Sequence, residues 1–456
     1  MAKAKKGKLT IEDALVPVEE QPYEVPENWC WTKINSVASV YTGNSINERI
    51  KAEKYEGQQS GLLFIATKDV DFDNSINYET NVRITDPENF KKAPANTALL
   101  CIEGGSAGRK IGFTNQEVCF GNKLCAFASD KIEPKYIYYF LQSNAFIYQF
   151  NDKKHGLIGG VSVKDLCEIG IALPPLAEQK RIVEQIEKLF SKLDEAKDKV
   201  QQTIDSYDDR RASILHEAFN GELTKEWRKN NSIDICSWKN TTISGIAELV
   251  TKGASPRWQG VEYLDDDTQT LFVTSENVRE GYLDLTKEKY LDNKINDIQK
   301  RSVLKKGDVL VNIVGASIGR SAIYNIDKLA NTNQAVCLIR LNDIELNQYV
   351  CFYLNSPVAL RYYSDNKSET ARANLSLADI NNLPINIPSK LEANEIMKVV
   401  DAILDKEKRV LDSALLTLEQ IDLMKKSILA KAFRGELGTN IADEENAIEL
   451  LKSILA

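Results

Sequence analysis

The sequence predicts an α+β protein: two similar α/β domains separated by a long antiparallel two-helix coiled coil and related by a pseudo-twofold axis. Three observations carry that expectation. The chain repeats itself, each copy opens with a strand-rich segment, and each copy closes with one long helical stretch.

The repeat is clearest near the helix ends, where Ser213-Ile-Leu-His-Glu-Ala-Phe-Asn-Gly-Glu-Leu223 realigns with Ser427-Ile-Leu-Ala-Lys-Ala-Phe-Arg-Gly-Glu-Leu437. That offset is 214 (427 − 213), and it also carries Glu178, Ile182 and Ile186 onto Glu392, Ile396 and Val400. Upstream, Gly104-Gly-Ser-Ala-Gly-Arg109 matches Gly315-Ala-Ser-Ile-Gly-Arg320, and Asn122 matches Asn333. Leu63-Phe-Ile-Ala-Thr67 matches Leu271-Phe-Val-Thr-Ser275, and Trp31 is paired with Trp238. Self-similarity in one order over so long a period marks a duplicated structural unit.

In chain order, residues 1–27 form an N-terminal arm and 28–175 the first domain. Within that domain Ala98-Leu-Leu-Cys-Ile102 is a buried strand, and Pro134–Phe150 has helical spacing. A long helix follows over 176–224, opening after Leu173-Pro-Pro175 and ending near Gly221. Its apolar residues, among them Ile182, Val183, Ile186, Leu189, Phe190 and Leu193, recur every three to four positions. Residues 225–388 hold a linker and the second domain, with the strand Asp308–Val314 and the helical stretch Asn347–Tyr363. The second long helix covers 389–437, stopping near Gly435, and 438–456 form a C-terminal tail. About 44 residues of helix make a rod of ~65 Å. Its narrow apolar seam suits a helix–helix coiled coil.

Composition excludes several classes. At 456 residues the chain exceeds one hydrophobic core, and 43% hydrophobic with 27% charged residues suits a globular protein. No apolar run reaches the roughly 18 residues that span a bilayer, and no apolar stretch follows the basic N-terminus, so a cytoplasmic protein is expected without membrane partners. The eight cysteines show no C-x-x-C spacing, and only His155 and His216 accompany them, so no metal site is expected. The net charge of −8 leaves nucleic acid open, because 28–172 carries 16 basic and 16 acidic residues, and the excess acid lies toward the termini.

Catalytic signatures are missing too. The glycine loops fit neither a P-loop nor G-x-G-x-x-G. The only Pro-Pro is Leu173-Pro-Pro-Leu176, which is no N/D-P-P-Y/F tetrad, and Glu195–Lys197 sits mid-helix rather than beside a second carboxylate on a strand. A non-catalytic protein with no cofactor of its own is expected.

At this point Leu173-Pro-Pro-Leu-Ala-Glu-Gln-Lys-Arg-Ile182 and Ala218-Phe-Asn-Gly-Glu-Leu223 are the informative segments, with Val25-Pro-Glu-Asn-Trp29 and Ala432-Phe-Arg-Gly-Glu-Leu437. They resemble the conserved regions of specificity subunits of type I restriction-modification systems. The likeness covers about Leu9 to the C-terminus and departs at Pro388-Ser-Lys-Leu-Glu-Ala-Asn, which replaces P-P-L-x-E-Q. The resemblance implies two target recognition domains, each reading half of a bipartite, asymmetric site in double-stranded DNA, with the helices setting the gap. It also implies two modification (methyltransferase) subunits and restriction (translocase/nuclease) subunits as partners. Those partners would carry S-adenosylmethionine, ATP and Mg. The alternative is a coiled-coil scaffold that binds protein and has no DNA specificity.

The candidate DNA contacts lie in matched loops. Gly105, Ser106, Arg109 and Lys110, with Ser317 and Arg320, form turns that need positive φ, or loops whose backbone and arginine approach DNA. Thr67 and Lys68, with Thr274, Ser275 and Asn277, follow matched strands as turns or as groups aimed at base edges. Lys153, Lys154 and Arg372 precede the last strand of each domain as solvated charges or phosphate contacts. Arg257 lies in a stretch unmatched between the halves, beside Trp258, which is expected to pack inward rather than to stack on a base. The halves lose alignment over Gly43–Gly61 and Gly253–Thr270, where recognition differences would fall.

Overall fold

A computed structural model describes residues 9–155, 159–367 and 373–456. The chain divides into two compact units, Met1–Val200 with Leu416–Ala456, and Gln201–Leu415.

The first unit is layered. A four-stranded antiparallel sheet runs in the order Ser39–Thr42, Leu124–Ala128, Ala98–Cys101, Ile111–Phe113. The strand Ala98–Cys101 is buried at every position because both of its faces are covered. Ala98 and Leu100 pack against the helix Pro134–Leu141, while Leu99 and Cys101 pack with Ile65 and Phe120 of a second sheet. A strand covered on both faces reads as a continuous apolar run, and this one does. The second sheet runs Arg83–Ile84, Leu62–Ile65, Val118–Phe120, Lys92–Ala93, with Leu62–Ile65 parallel to Val118–Phe120. A short ribbon pairs Cys30–Lys33 with Gly170–Leu173.

The second unit repeats this plan with Ala247–Lys252, Val336–Leu341, Val309–Asn312 and Ser321–Ile323 in the main sheet. Val309 and Val311 face helices and Leu310 faces the second sheet, the same alternation. The second sheet differs at its edge: Tyr263–Leu264 is added beside Tyr290–Leu291, where the first unit has Lys92–Ala93 on the opposite side. The misaligned loops therefore fold differently. Gly43–Gly61 contains the helix Glu48–Lys54, and Gly253–Thr270 contains the 3-10 turn Pro256–Gln259 and that edge strand. Both loops leave from a glycine pinned against backbone: a Cβ on Gly43 would meet the Phe120 carbonyl at 1.9 Å, and one on Gly253 the Thr332 carbonyl at 1.6 Å.

Each unit holds its own antiparallel helix pairing. In the first, Ile182, Val183 and Ile186 of the helix Leu176–Asp205 share a core with Leu429, Ala432 and Phe433 of the helix Lys390–Phe433. Lys425 pairs with Asp194 further along. Phe433 ends against Tyr136 and Phe140, with ring centroids 5.0 and 5.5 Å away. In the second, Leu215, Ala218 and Phe219 pack with Ile396 and Val400, and Arg210 pairs with Glu407 at 2.7 Å. Phe219 lies 5.2 Å from both Tyr349 and Tyr353, in the role that Phe433 has in the first unit.

The structure corrects three details of the sequence reading. The first long helix is interrupted at Ser206, between Leu176–Asp205 and Tyr207–Phe219. The Ser206 hydroxyl bonds back to the Gln202 carbonyl at 2.7 Å, which competes with regular helix geometry. The helical stretch Pro134–Phe150 is two helices, Pro134–Leu141 and Asn144–Asp152, because Ser143 caps the second by accepting from the Phe146 amide. The counterpart of Trp238 is Trp29, not Trp31. The Trp29 indole donates to the buried Glu178 carboxylate at 2.7 Å, and the Trp238 indole donates to the equally buried Glu392 at 2.8 Å. Trp31 instead donates to the Tyr23 carbonyl.

Residues 438–456 include the helix Ala447–Leu455, capped by Asn446, with Ala447 and Leu451 fully buried in the first unit's core. Arg181 holds this segment through two hydrogen bonds to Glu444, at 2.8 and 2.7 Å. No described helix is long and apolar enough to cross a membrane.

Candidate nucleic-acid interface

In the first unit the strand Ala98–Cys101 runs into the loop Gly104–Gly108, whose two end glycines take φ of +80° and +75°. The loop closes on itself through Ala107 N–H to the Gly104 carbonyl and Arg109 N–H to the Ser106 carbonyl. A Cβ on Gly108 would sit 2.7 Å from the Phe150 ring, so glycine is required for shape as well as for backbone conformation. The turn brings Gly105 and Ser106 to the surface and aims Arg109 and Lys110 at Phe72, their charges 5.0 and 4.9 Å from its ring centroid.

Phe72 is 57% exposed on the loop that follows Thr67–Asp69. Lys110 also donates to the Thr67 carbonyl at 3.3 Å. Thr67, Arg109, Lys110 and Phe72 thus form one cluster, with Lys68 exposed beside it. Lys154 lies over the Phe150 ring at 5.3 Å, and Lys153 caps the helix Asn144–Asp152.

An open cleft of about 960 Å³ collects Phe72, Arg109 and Lys154 together with Lys425 and Lys426 of the last long helix. Asp73, Asp194 and Asp422 share its wall. Asp194 is paired with Lys425, and hydrogen bonds from Ser75 hold the Asp73 carboxyl below the usual range. Arg109, Lys154 and Lys426 have no carboxylate within 4.0 Å among the described residues. Cations set on aromatic rings and facing a cleft can clamp a phosphate or reach a base edge.

The second unit uses several of its predicted residues differently. Thr274 and Asn277 are buried: the Thr274 amide and hydroxyl donate to Asn277 Oδ1 at 2.9 and 3.0 Å. Asn277 in turn donates to the carbonyls of Asp284 and Lys287. Both side chains hold the loop from within and cannot also face DNA. Ser275 offers its carbonyl, and Ser317 its hydroxyl, to the buried Asn312 side chain. Arg320 is half-buried at the end of the Gly315–Gly319 turn, where Gly319 (φ +91°) packs on Leu360 and Tyr363 as Gly108 packs on Phe150.

Arg257 is exposed on the 3-10 turn Pro256–Gln259. Trp258, expected to pack inward, is 83% exposed. Arg372 lies outside the described residues. Phe72, Lys425 and Lys426 were not anticipated. An aromatic inside the polar run Asp71-Phe-Asp-Asn74 was the available signal for Phe72, whereas Lys425 and Lys426 reach the cleft only through helix pairing.

Burial pushes Cys30, Cys337 and Cys351 up to about 12 and Cys119 up to about 11, leaving them protonated at neutral pH. Among the described residues no group of three His, Cys, Asp or Glu could hold a metal ion.

The family pattern for the type I restriction modification DNA specificity domain matches residues 26–205 and again 237–412. The type I restriction enzyme EcoBI specificity subunit of Escherichia coli is 26% identical over 455 residues, covering 95% of this chain and 93% of its own length. A chain solved in work on complex assembly and conformational transition of the type I R-M system superposes with a TM-score of 0.68 at 17% identity, covering 91% of this chain and all of its own. The HsdS subunit crystal structure from Thermoanaerobacter tengcongensis gives 0.61 at 17% identity over 92% of this chain and all of its own.

Proposed function

Because this chain belongs to the type I restriction modification DNA specificity family, matched once in each half, we propose that each unit reads one half of a bipartite DNA site. The chain is the DNA specificity subunit of a type I restriction-modification system. The single observation that carries the two-part reading is the duplication itself: one scaffold built twice, with unlike loops at matched positions. Where the first unit places the helix Glu48–Lys54, the second places Pro256–Gln259 and an added edge strand. Loops on a rigid scaffold carry recognition, so unlike loops on like scaffolds read unlike sequences, and the target is asymmetric.

Arg109, Lys110, Lys68 and Lys154 in the first unit, and Arg257 and Arg320 in the second, are the side chains we assign to DNA. Arginine supplies a bidentate donor pair for guanine, and lysine a point charge for phosphate. Gly105 and Ser106 bring backbone to the same surface.

Modification subunits, two per complex, and restriction subunits would act at the site this chain selects, and S-adenosylmethionine, ATP and Mg would reside on them. A protein-binding scaffold without DNA specificity is not favoured. The test is to map methylated bases in cells carrying the modification subunit with and without this chain. A two-part, non-palindromic motif that appears only with the chain is expected. Methylation that is unchanged by the chain, or a palindromic motif, refutes the reading.

A further inference from the structure

We infer that Trp258 is a DNA-contacting, specificity-determining residue of the second unit, its indole packed against the bases of that unit's half-site. This rests on the reading of the chain as a DNA specificity subunit. The five tryptophans fall at 29, 31, 227, 238 and 258. Trp29 and Trp31 are buried, Trp227 and Trp238 partly buried, and Trp258 alone is exposed, at 83%. A large ring left in water contributes nothing to folding, and exposed aromatics mark contact surfaces.

The ring is held out by a firm base. Pro256 and Val261 on either side are buried, Val261 packing with Phe272, Leu291 and Ile295. Ala254 N–H donates to Gln299 Oε1 at 2.8 Å, and Gly260 ends the turn in the left-handed region at φ +66°. The turn Pro256–Gln259 packs on Ile295–Ile298, which is followed directly by Lys300–Ser302.

The charge around it fits a polyanion. Residues 251–261 contain Lys252 and Arg257 and no acid. Lys252, Arg257, Lys300 and Arg301 are exposed, and among the described residues none has a carboxylate within 4.0 Å. Exposed Glu262 follows Val261 directly, and the acidic run Asp265–Asp267 comes after the edge strand Tyr263–Leu264. Exposed cations flanking a projecting ring combine backbone attraction with base stacking. An apolar wedge of this kind enters a groove and partly unstacks a base step. The first unit has no counterpart, since its helix Glu48–Lys54 carries no aromatic.

The experiment uses the full chain assembled with its modification subunits and a duplex carrying the motif found by methylation mapping. Iodide should quench the free complex's tryptophan emission through Trp258, and the duplex should shield it. Trp258→Ala should weaken binding about 5- to 100-fold without changing the melting temperature. It should relax discrimination in one half-site only, and Trp258→Phe should retain most of the affinity. If Trp258→Ala binds and discriminates as the parent does, the inference is overturned. It is equally overturned if assembly with the modification subunits shields the ring before DNA is added, because Trp258 then faces protein. A parent complex that binds no duplex overturns the underlying reading instead, which separates the two failures.

Discussion

Replacing Arg228 by Met should be among the most destabilising single changes in the second unit, for reasons that can be worked through at one carboxylate. Glu392 is fully buried at the start of the second long helix and accepts from Arg228 Nη1 at 2.7 Å, the Trp238 indole at 2.8 Å and the Thr224 hydroxyl at 2.9 Å. Arg228 also donates to the Gly221 carbonyl at 2.6 Å, closing the end of the first helix. Removing one partner of a buried pair leaves an uncompensated charge and costs about 3–5 kcal/mol. The first unit provides an internal control. Glu178 occupies the matching position with neutral donors: the Trp29 indole at 2.7 Å, Asn440 at 2.9 Å and Thr439 at 3.3 Å. A carboxylate therefore survives there with three neutral donors, and Arg228→Met leaves Glu392 two, so the loss should fall near the low end, about 3 kcal/mol. Adding Glu392→Gln removes the charge, keeps one carbonyl oxygen to accept from the Trp238 indole, and turns an NH2 toward the Thr224 hydroxyl, which can accept from it. The double variant should then sit only about 1–2 kcal/mol below the parent. Urea unfolding of the four members of this cycle, followed by tryptophan emission, measures the coupling directly. A cost under about 1 kcal/mol for Arg228→Met, or a double variant no more stable than the single, would refute the argument.

Arg109→Ala should weaken binding of the full complex to its target duplex by about 1–3 kcal/mol if the guanidinium meets a base edge, with the fold intact; electrophoretic titration checks it, and unchanged affinity returns the loop to a purely structural role. Gly319→Ala should destabilise the second unit by more than about 1 kcal/mol, since φ is +91° and the new Cβ would meet Leu360 at 2.7 Å; a melting temperature equal to the parent's would contradict this. Thiol titration of the native chain should find Cys236 first, because it alone among the cysteines is exposed, with the seven others slower until unfolding. The neighbouring Asp234 carboxylate raises the Cys236 pKa, so its labelling should keep accelerating at alkaline pH rather than level off near neutrality. The Glu444 carboxyl is held below its ordinary value by the hydrogen bonds from Arg181. Its contribution is therefore present above the usual glutamate range and lost as pH falls through the lowered value. Hydrogen exchange should show 439–455 loosening on acidification below about pH 4, and protection that persists there would count against the anchor.

The repeat, the two sandwiched strands and both long helices were legible because each is written in local pattern: period, apolar run, proline and glycine punctuation. What escaped depends on partners distant in sequence. The pairing of Trp238 with Trp29 is decided by which indole reaches the buried glutamate, and two tryptophans two residues apart look alike in sequence. Thr274 and Asn277 read as polar loop residues, yet they are consumed by hydrogen bonds to one another and to backbone. Trp258 was expected inside because most large apolar residues are, and only its firm, outward turn shows otherwise. The helix Ala447–Leu455 could have been found: Asn446 is a good cap, and Ala447, Leu451 and Leu455 repeat at helical spacing. The acidic residues preceding it made the segment read as a tail.

The division of the chain also sets an order of events during synthesis. The second unit is one continuous stretch, Gln201–Leu415, while the first needs both Met1–Val200 and Leu416–Ala456. Tyr136 and Phe140 cannot receive Phe433 until 233 further residues beyond Val200 (433 − 200) have left the ribosome. At about 5–20 residues per second, that is a wait of roughly 10–50 s. Throughout that interval the earliest domain to emerge carries an unfilled apolar slot, and the domain made after it can close first. A ribosome that stops between Leu415 and Phe433 therefore releases a chain whose second unit is whole and whose first is not.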